Sequence, residues 1–326
     1  MPKALIRPAL IAHAGAGGRA PVSDRFERQR GLLAAVERGA GILRDGGSAT
    51  DAVVSTVAAL EDHSLFNAGF GSVLTLEGRV EMDAGIMVAE EQGAPAHSST
   101  PQRKQSRTKV RAGGVVLVSR VANPILLARF VMDRTPHMLI GGVAAERLAR
   151  RTGIRTCRPE QLVTERIRNR WLAGVQTRGN ALGPYGTVGA AALDRNGNLA
   201  AATSTGGVWG KMPGRIGDSA ILGAGLYAAG IGAASATGTG EAIMKAGLCR
   251  EAVELLRLPP QQAAERAIDS FHAATGGEAG VIIVDLRGRY GYAQNAQAME
   301  IALLDHGEIR HIVVGPATVA RGSHSS

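Results

Sequence analysis

Cysteine is nearly absent: Cys157 and Cys249 are the only two in 326 residues, they lie far apart, and neither sits at a metal-ligand spacing. That excludes a disulfide framework and a thiolate metal centre, and it leaves free thiols in a reducing cytoplasm as the expectation. Aromatic residues make up 3% of the chain, too few for the stacked platforms of a single-strand nucleic-acid binder. No apolar run approaches the roughly 20 residues that span a bilayer, so no membrane association is expected. The stretch Met1-Pro2-Lys3-Ala4-Leu5 lacks the apolar core and cleavage site of a secretory leader. His13, His63, His97, His137, His272, His306, His311 and His324 match no triad or zinc spacing, and each reads as structural or superficial. Gly15-Ala16-Gly17-Gly18 and Gly223-Ala224-Gly225 lack the full dinucleotide fingerprint and its downstream acid, so no organic cofactor is expected.

Glycine, by contrast, is plentiful at 44 residues, and hydrophobic residues reach 45%. A globular chain so poor in aromatics must build its core from Ala, Val, Leu and Ile on closely approaching backbones. The net charge of +9 is partly concentrated in Arg103, Lys104, Arg107, Lys109 and Arg111. Those residues lie in a Ser/Pro/Gln-rich run, 89–110, that has no apolar periodicity and reads as a solvated, disordered basic insertion, not a nucleic-acid site.

Residues 5–13 read as a strand ending in a small-residue turn. A helix follows from a Ser23 cap to Leu43, stopped by Gly46-Gly47; Ser48 and Asp51 form a variant capping box for a second helix over 49–60. Strand-like runs at 72–76 and 79–88 predict a hairpin, and 115–119 a buried strand. Helices are predicted over 124–132, 144–151 and 159–175, then a polar linker over 176–186. Asn196-Gly197 predicts a hairpin of strands 188–193 and 199–203. A strand over 231–236, helices over 241–256 and 260–274, and a meander of strands at 281–285, 290–294 and 300–304 complete the chain.

The chemistry concentrates after residue 186. Gly186-Thr187-Val188-Gly189 is followed by Thr203-Ser204-Thr205-Gly206-Gly207, by Gly214-Arg215-Ile216-Gly217-Asp218-Ser219 and by Thr237-Gly238-Thr239-Gly240-Glu241. A threonine hydroxyl is a poor nucleophile without a base. Cleavage of the Gly186–Thr187 bond would supply one, because Thr187 would gain an α-amine of pKa about 7.7 to 8.0 on the same residue.

These segments, with Leu60-Glu61-Asp62, Leu65-Phe66-Asn67-Ala68-Gly69, Met82-Asp83-Ala84 and Gly223-Ala224-Gly225, occur in an order that resembles the plant-type L-asparaginases. These are also called isoaspartyl aminopeptidases and belong to the N-terminal-nucleophile hydrolases. The resemblance implies an α+β fold, a four-layer αββα sandwich, cut into an α-subunit (1–186) and a β-subunit (187–326) that together form one domain. It implies hydrolysis of the side-chain amide of L-asparagine and of β-aspartyl dipeptides through a β-aspartyl ester on Thr187. Thr205 would hold the nucleophile's hydroxyl, and Thr237 with Gly238 would form the oxyanion hole. Arg215 would bind the substrate carboxylate and Asp218 its amino group; Gly240 would allow close approach and Asn67 would face the site. Backbone carbonyls of Leu60, Glu61, His63, Phe66, Ala68 and Phe70 would wrap a structural sodium ion. A homodimer of cleaved units is the further implication.

Departures accompany the resemblance: Val88 stands where the family often has an acid, 89–110 reads as an insertion, and Ala220 replaces the proline after Asp218-Ser219. Ala14 stands where the family has a second-position glycine after His, Trp209 where it has a small or polar residue, and the run before the cut is short. Trp209 either narrows the leaving-group side of the pocket or packs at the surface. The alternatives are a glycosylasparaginase, which normally has Asp before the nucleophile and Thr-Asn-Gly downstream, and an uncleaved, non-catalytic homologue that only binds ligand.

Overall fold

A computed structural model of the chain describes residues 6–92, 107–174 and 186–315. It begins with β1 (Ala9–Gly17), α1 (Val22–Arg44), α2 (Ala49–Glu61), β2 (Met82–Gln92), β3 (Arg107–Val118), α3 (Pro124–Arg134), β4 (Leu139–Gly141), α4 (Gly142–Arg151) and α5 (Glu165–Gly174). After Thr187 come β5 (Val188–Leu193), β6 (Leu199–Thr205), β7 (Leu226–Ala229), β8 (Gly232–Gly238), α6 (Gly240–Ala246), α7 (Leu248–Glu254), α8 (Pro260–Thr275), β9 (Ala279–Asp285), β10 (Tyr290–Gln294), β11 (Ala298–Asp305) and β12 (Glu308–Val314). The fold is α+β. One sheet of eight strands has the order β12-β11-β1-β5-β6-β2-β3-β4, and a second of four has the order β10-β9-β8-β7.

Alternation along the central strands divides their side chains between two environments. Leu10, Ala12, Ile86, Val88, Ala190 and Ala192 pack against Leu32 and Val36 of α1, Val53 and Val57 of α2 and Ile125 of α3. The opposite face, through Ile11, Met87, Ala191 and Ala201, meets Leu226, Ala233, Ile282 and Val284 of the smaller sheet. Ala234, Ala236, Val281 and Ile283 on the far side of that sheet are covered by Ile243, Val253, Ile268 and Phe271 of α6, α7 and α8. Between the sheets the residues are small for a reason. A Cβ on Gly189 would stand 2.6 Å from His13 Nε2 and 3.0 Å from the Ala202 carbonyl.

Local signals translate well where the cause is local. Ser48 Oγ accepts from Asp51 N at 3.0 Å and donates to Asp51 Oδ2 at 2.7 Å, which caps α2. The β5–β6 turn has Gly197 at φ +87°, with Asp194 Oδ1 accepting from Asn196 N and Asn198 N. Elsewhere the structure departs from expectation. Helix α1 starts at Val22 behind Pro21 without a side-chain cap, and Ser23 instead donates to Asp24. The hairpin expected at 72–88 is reduced to one bridge, Leu74 with Val80, because β2 pairs with β3 and β6 instead. The helix expected over 241–256 breaks at Gly247, at φ +64°. That expected over 159–175 divides into a 3-10 turn, Pro159–Leu162, and α5.

The terminal strands do not form one meander: β9 and β10 belong to the small sheet, β11 and β12 to the large one. Residues 89–92 and 107–110, expected within a disordered insertion, extend the β2–β3 ladder. Just beyond it, Arg111 has acidic partners, bridging Glu90 at 2.6 Å and Asp133 at 2.5 Å. The remainder of that insertion, with Arg103 and Lys104, and the linker up to residue 185 lie outside the described residues. Among the described residues no helix is long and apolar enough to cross a membrane.

Ser48→Ala is expected to lower stability by about 1 kcal/mol through loss of the cap. Ile282→Ala, fully buried between the sheets, is expected to cost about 2–5 kcal/mol. Urea unfolding midpoints measure both, and equal effects would contradict the packing described.

Candidate active site

Thr187 lies at the foot of β5, and the pairing of Val188 with Ser204 brings it beside the end of β6, where Thr205 stands. Both threonines line a small cavity with Gly186, Arg215, Asp218 and Gly238. The free space there is about 30 Å³, room for about one water molecule.

The peptide before Thr187 is confined by backbone. Gly15 has φ +104°, and a Cβ on it would stand 2.6 Å from Gly186 N. A Cβ on Gly186 would in turn stand 2.7 Å from Thr237 Oγ1 and 2.9 Å from Gly15 Cα. Only glycine fits at either position. Thr237, fully buried, also accepts from Ala16 N at 3.3 Å. Ala14 does not bear the positive φ; among the described non-glycine residues only Leu117 and His306 do. The left-handed turn falls on Gly15, so alanine replaces glycine at residue 14 without strain.

The hydroxyl nearest Thr187 in hydrogen-bonding terms is that of Ser219, with Oγ1 and Oγ 3.3 Å apart. Ser219 is fully buried, and its carbonyl accepts from the Thr203 hydroxyl. Ser219 carries no sequence signal of its own beyond following Asp218 directly. Thr205 Oγ1 accepts from Gly207 N at 2.9 Å, which shapes the turn after β6. His13 pairs with Ser235 at 2.8 Å. Burial pushes its pKa down to about 3, against a weaker upward pull from the Thr187 backbone, so the imidazole is neutral and structural, as its isolation in sequence implied.

A charged group completes the cavity. Arg215 makes a bidentate contact with Glu241, Nε and Nη2 each at 2.8 Å from a carboxylate oxygen. Asp218 is buried and its Oδ2 has no hydrogen-bond partner. Burial raises its pKa to about 7, with Asp83 and Glu241 adding to the rise and Arg215 opposing it. A Cβ on Gly240 would lie 2.7 Å from Arg215 Nη2 and 2.8 Å from Asp218 Oδ1, so both side chains rest against that glycine. Asp83, unassigned from sequence beyond its motif, accepts from Leu117 N at 2.9 Å and Gly217 N at 3.3 Å, anchoring the turn that carries Arg215 and Asp218. Lys211 is buried nearby, donating to the Glu81 carbonyl at 2.6 Å.

Asn67 does not line the cavity. Its Nδ2 donates to the Gly207 carbonyl at 2.7 Å and its Oδ1 accepts from Val73 N at 2.9 Å, so it ties two loops together. In the 60–70 loop the carbonyls of Leu60, Glu61 and His63 accept from His63 N, Phe70 N and Phe66 N at 3.2, 2.7 and 3.2 Å. A Cβ on Gly71 would stand 2.6 Å from the Phe66 carbonyl oxygen and 2.7 Å from that of Ser64. Among the described residues no group of three or more His, Cys, Asp or Glu side chains could hold a metal ion; a cation in this loop would rest on carbonyls.

The asparaginase family model matches residues 6–100 and 106–314 of this chain. The isoaspartyl peptidase/L-asparaginase of Bos taurus is 41% identical over 314 residues, spanning 93% of this chain and 95% of the relative. The human protein of the same name is 39% identical over 322 residues, with 95% and 97% coverage. The plant-type L-asparaginase of Pyrobaculum calidifontis is 40% identical over 314 residues, with 92% and 98% coverage. A cavity built on Thr187, Arg215 and Asp218 and a match along nearly the whole chain lead to one conclusion: this protein belongs to the asparaginase family.

Proposed function

We propose that the chain cuts itself between Gly186 and Thr187 and then hydrolyses the side-chain amide of L-asparagine and of β-aspartyl dipeptides. The observation that carries this reading is the seating of Gly186 between Gly15 and Thr237, within the cavity that also holds Thr187, Arg215 and Asp218. In the first reaction the Thr187 hydroxyl adds to the Gly186 carbonyl carbon. The C–N bond breaks as the ester forms, and water then cleaves the ester, leaving a carboxylate on Gly186 and a free amine on Thr187. Departure of the Gly186 wall enlarges a space that otherwise admits about one water.

In the second reaction Arg215 takes the substrate α-carboxylate, exchanging it for Glu241, which is more than half exposed. Asp218 Oδ2, left without a partner, receives the α-ammonium. The Thr187 hydroxyl adds to the amide carbon while its own amine accepts the proton and passes it to the leaving nitrogen. The tetrahedral oxygen is stabilised by the Thr237 hydroxyl and the Gly238 N–H, and Thr205 and Ser219 position the nucleophile. Water then hydrolyses the β-aspartyl ester.

The same reading makes the fold the four-layer αββα sandwich of the N-terminal-nucleophile hydrolases. Its support is the succession of three cores, helix on sheet, sheet on sheet and sheet on helix. Residues 1–186 and 187–326 are proposed as the two subunits of one domain. A structural sodium on the backbone carbonyls of Leu60, Glu61, His63, Phe66, Ala68 and Phe70 is part of the same proposal, and it would rigidify the loop that bears Asn67. A homodimer of cleaved units in the cytoplasm is part of this proposal, in keeping with two free thiols.

Purified wild-type protein is expected to give two fragments by mass spectrometry, the second beginning at Thr187, whereas Thr187→Ala remains full-length and inactive. An intact wild-type chain that hydrolyses β-aspartyl-leucine would falsify the mechanism. Gly15→Ala is expected to slow self-cleavage by about 10- to 100-fold, since it strains a left-handed backbone and displaces Gly186; cleavage at the wild-type rate on a denaturing gel would remove that constraint.

The pH dependence has two parts. Asp218, whose pKa burial raises to about 7, must be ionised to take an ammonium, and the Thr187 amine must be neutral to act as base. Below about pH 7, log kcat/KM is therefore expected to fall by about two units per pH unit, while log kcat falls by about one because bound substrate holds Asp218 ionised. Equal slopes would show that Asp218 does not titrate in the free enzyme.

A further inference from the structure

Among the described residues Trp209 is the one large aromatic group of the cavity wall, which it shares with the smaller apolar residues Val73 and Val208. Its loop is fixed on both sides. Gly206 N donates to the Asn67 carbonyl at 2.9 Å, Gly210 N to the Leu74 carbonyl at 2.9 Å, and Leu76 N to the Lys211 carbonyl at 2.9 Å. The indole is half-buried, packs against the helix-side core, and carries the Arg170 guanidinium of α5 at 4.7 Å from the ring centroid. Such a platform is preorganised: little side-chain freedom remains to be lost when something packs on it.

The two substrate classes differ only in what leaves. L-Asparagine releases ammonia, which has no surface to pack. A β-aspartyl dipeptide releases an amino acid whose side chain must lie along the cavity wall beyond Thr187, away from the Arg215 and Asp218 end. We propose that Trp209, held by Arg170, is the specificity-determining wall for the leaving residue, selecting β-aspartyl dipeptides with apolar C-terminal side chains over cationic ones and over L-asparagine. This inference rests on the amidohydrolase reading above. An aliphatic or aromatic side chain gains contact with indole surface, while a lysine side chain meets the like charge of Arg170.

The test is steady-state kinetics of the self-cleaved protein on β-aspartyl-leucine, β-aspartyl-lysine and L-asparagine. Wild type is expected to favour the leucine peptide over the lysine peptide. Trp209→Ala is expected to lower the ratio of kcat/KM for β-aspartyl-leucine to that for L-asparagine by about tenfold or more, chiefly through KM of the peptide. Trp209→Thr, which restores a small polar residue, serves where the alanine variant fails to mature. Trp209→Phe keeps a ring and is expected to retain most of the ratio. A ratio unchanged within about twofold in the alanine or threonine variant, a parallel loss on both substrates, or a phenylalanine variant as impaired as the alanine one overturns the inference. Wild type that turns over none of the three substrates overturns the amidohydrolase reading itself, and this inference with it.

Discussion

The close passage of Gly186 between Gly15 and Thr237 is the constraint on which the rest of the site depends. A Cβ on either glycine would approach backbone or hydroxyl atoms to 2.6–2.7 Å, far inside contact distance, so the chain has one way to cross this point. That crossing sets where Thr187 begins β5. It also sets the left-handed turn at Gly15, which interrupts the β1–β11 register between His13 and Ala16. The inter-sheet layer beside it is built of small residues because Gly189 packs directly on His13, Ser235 and the Ala202 carbonyl. Larger side chains at Gly189 or Ala191 would push β5 away from β8, and with it Thr187 from Thr237.

Electrostatics then distinguishes the two ends of the cavity. At the Thr187 end the described lining residues offer hydroxyls and backbone and no charged side chain. At the other end Asp83, Lys211, Arg215, Asp218 and Glu241 form one coupled group, in which burial raises the pKa of Asp83 and Asp218 and lowers that of Lys211. Buried charge of this kind is a weak source of stability, because desolvation offsets attraction. Asp218 with an unpartnered oxygen stands out in that group. An unsatisfied buried carboxylate is costly and becomes favourable only beside a donor such as an ammonium. The cost is offset by the anchoring of its turn through Asp83, whose two oxygens take backbone N–H groups from different parts of the chain.

Much of this was legible in sequence where the cause is short-range. Ser48 and Asp51 sit in one turn of helix, Asn196-Gly197 in one hairpin, and the strand periods of β5 and β6 in a few residues each. The ordered glycine, threonine and charged motifs likewise pointed to the residues that converge on the cavity. What was hidden depends on partners distant in the chain. The start of β3 reads as a solvated basic run until Glu90 and Asp133 are brought beside Arg111. Asn67 looks like a ligand-facing side chain until Gly207 and Val73 claim its amide. Ser219 has no sequence signature beyond its neighbour, and its contact with Thr187 spans 32 positions. Strands β4 and β7 are short, and β12 is an edge strand with a mixed exposure pattern; none has the periodicity that marks a strand in isolation.

The sheet order explains how a chain can be cut at its active site and keep its fold. Strand β5, which starts one residue after the proposed cut, lies between β1 and β6, and β1 in turn lies between β11 and β5. Strands from before and after residue 186 therefore alternate: β11 and β12 flank β1 on one side, β5 and β6 on the other, and β2 closes against β6. Every ladder across those junctions joins the two segments by hydrogen bonds and by the apolar faces above and below. Breaking one peptide bond removes a covalent link without exposing an edge or opening a core. The freedom gained by the proposed cut would be confined to the new ends, where a carboxylate would replace the wall at Gly186 and an amine would stand beside the Thr187 hydroxyl. A rigid interleaved sheet and a single local release are thus two aspects of one topology, and the chemistry requires both.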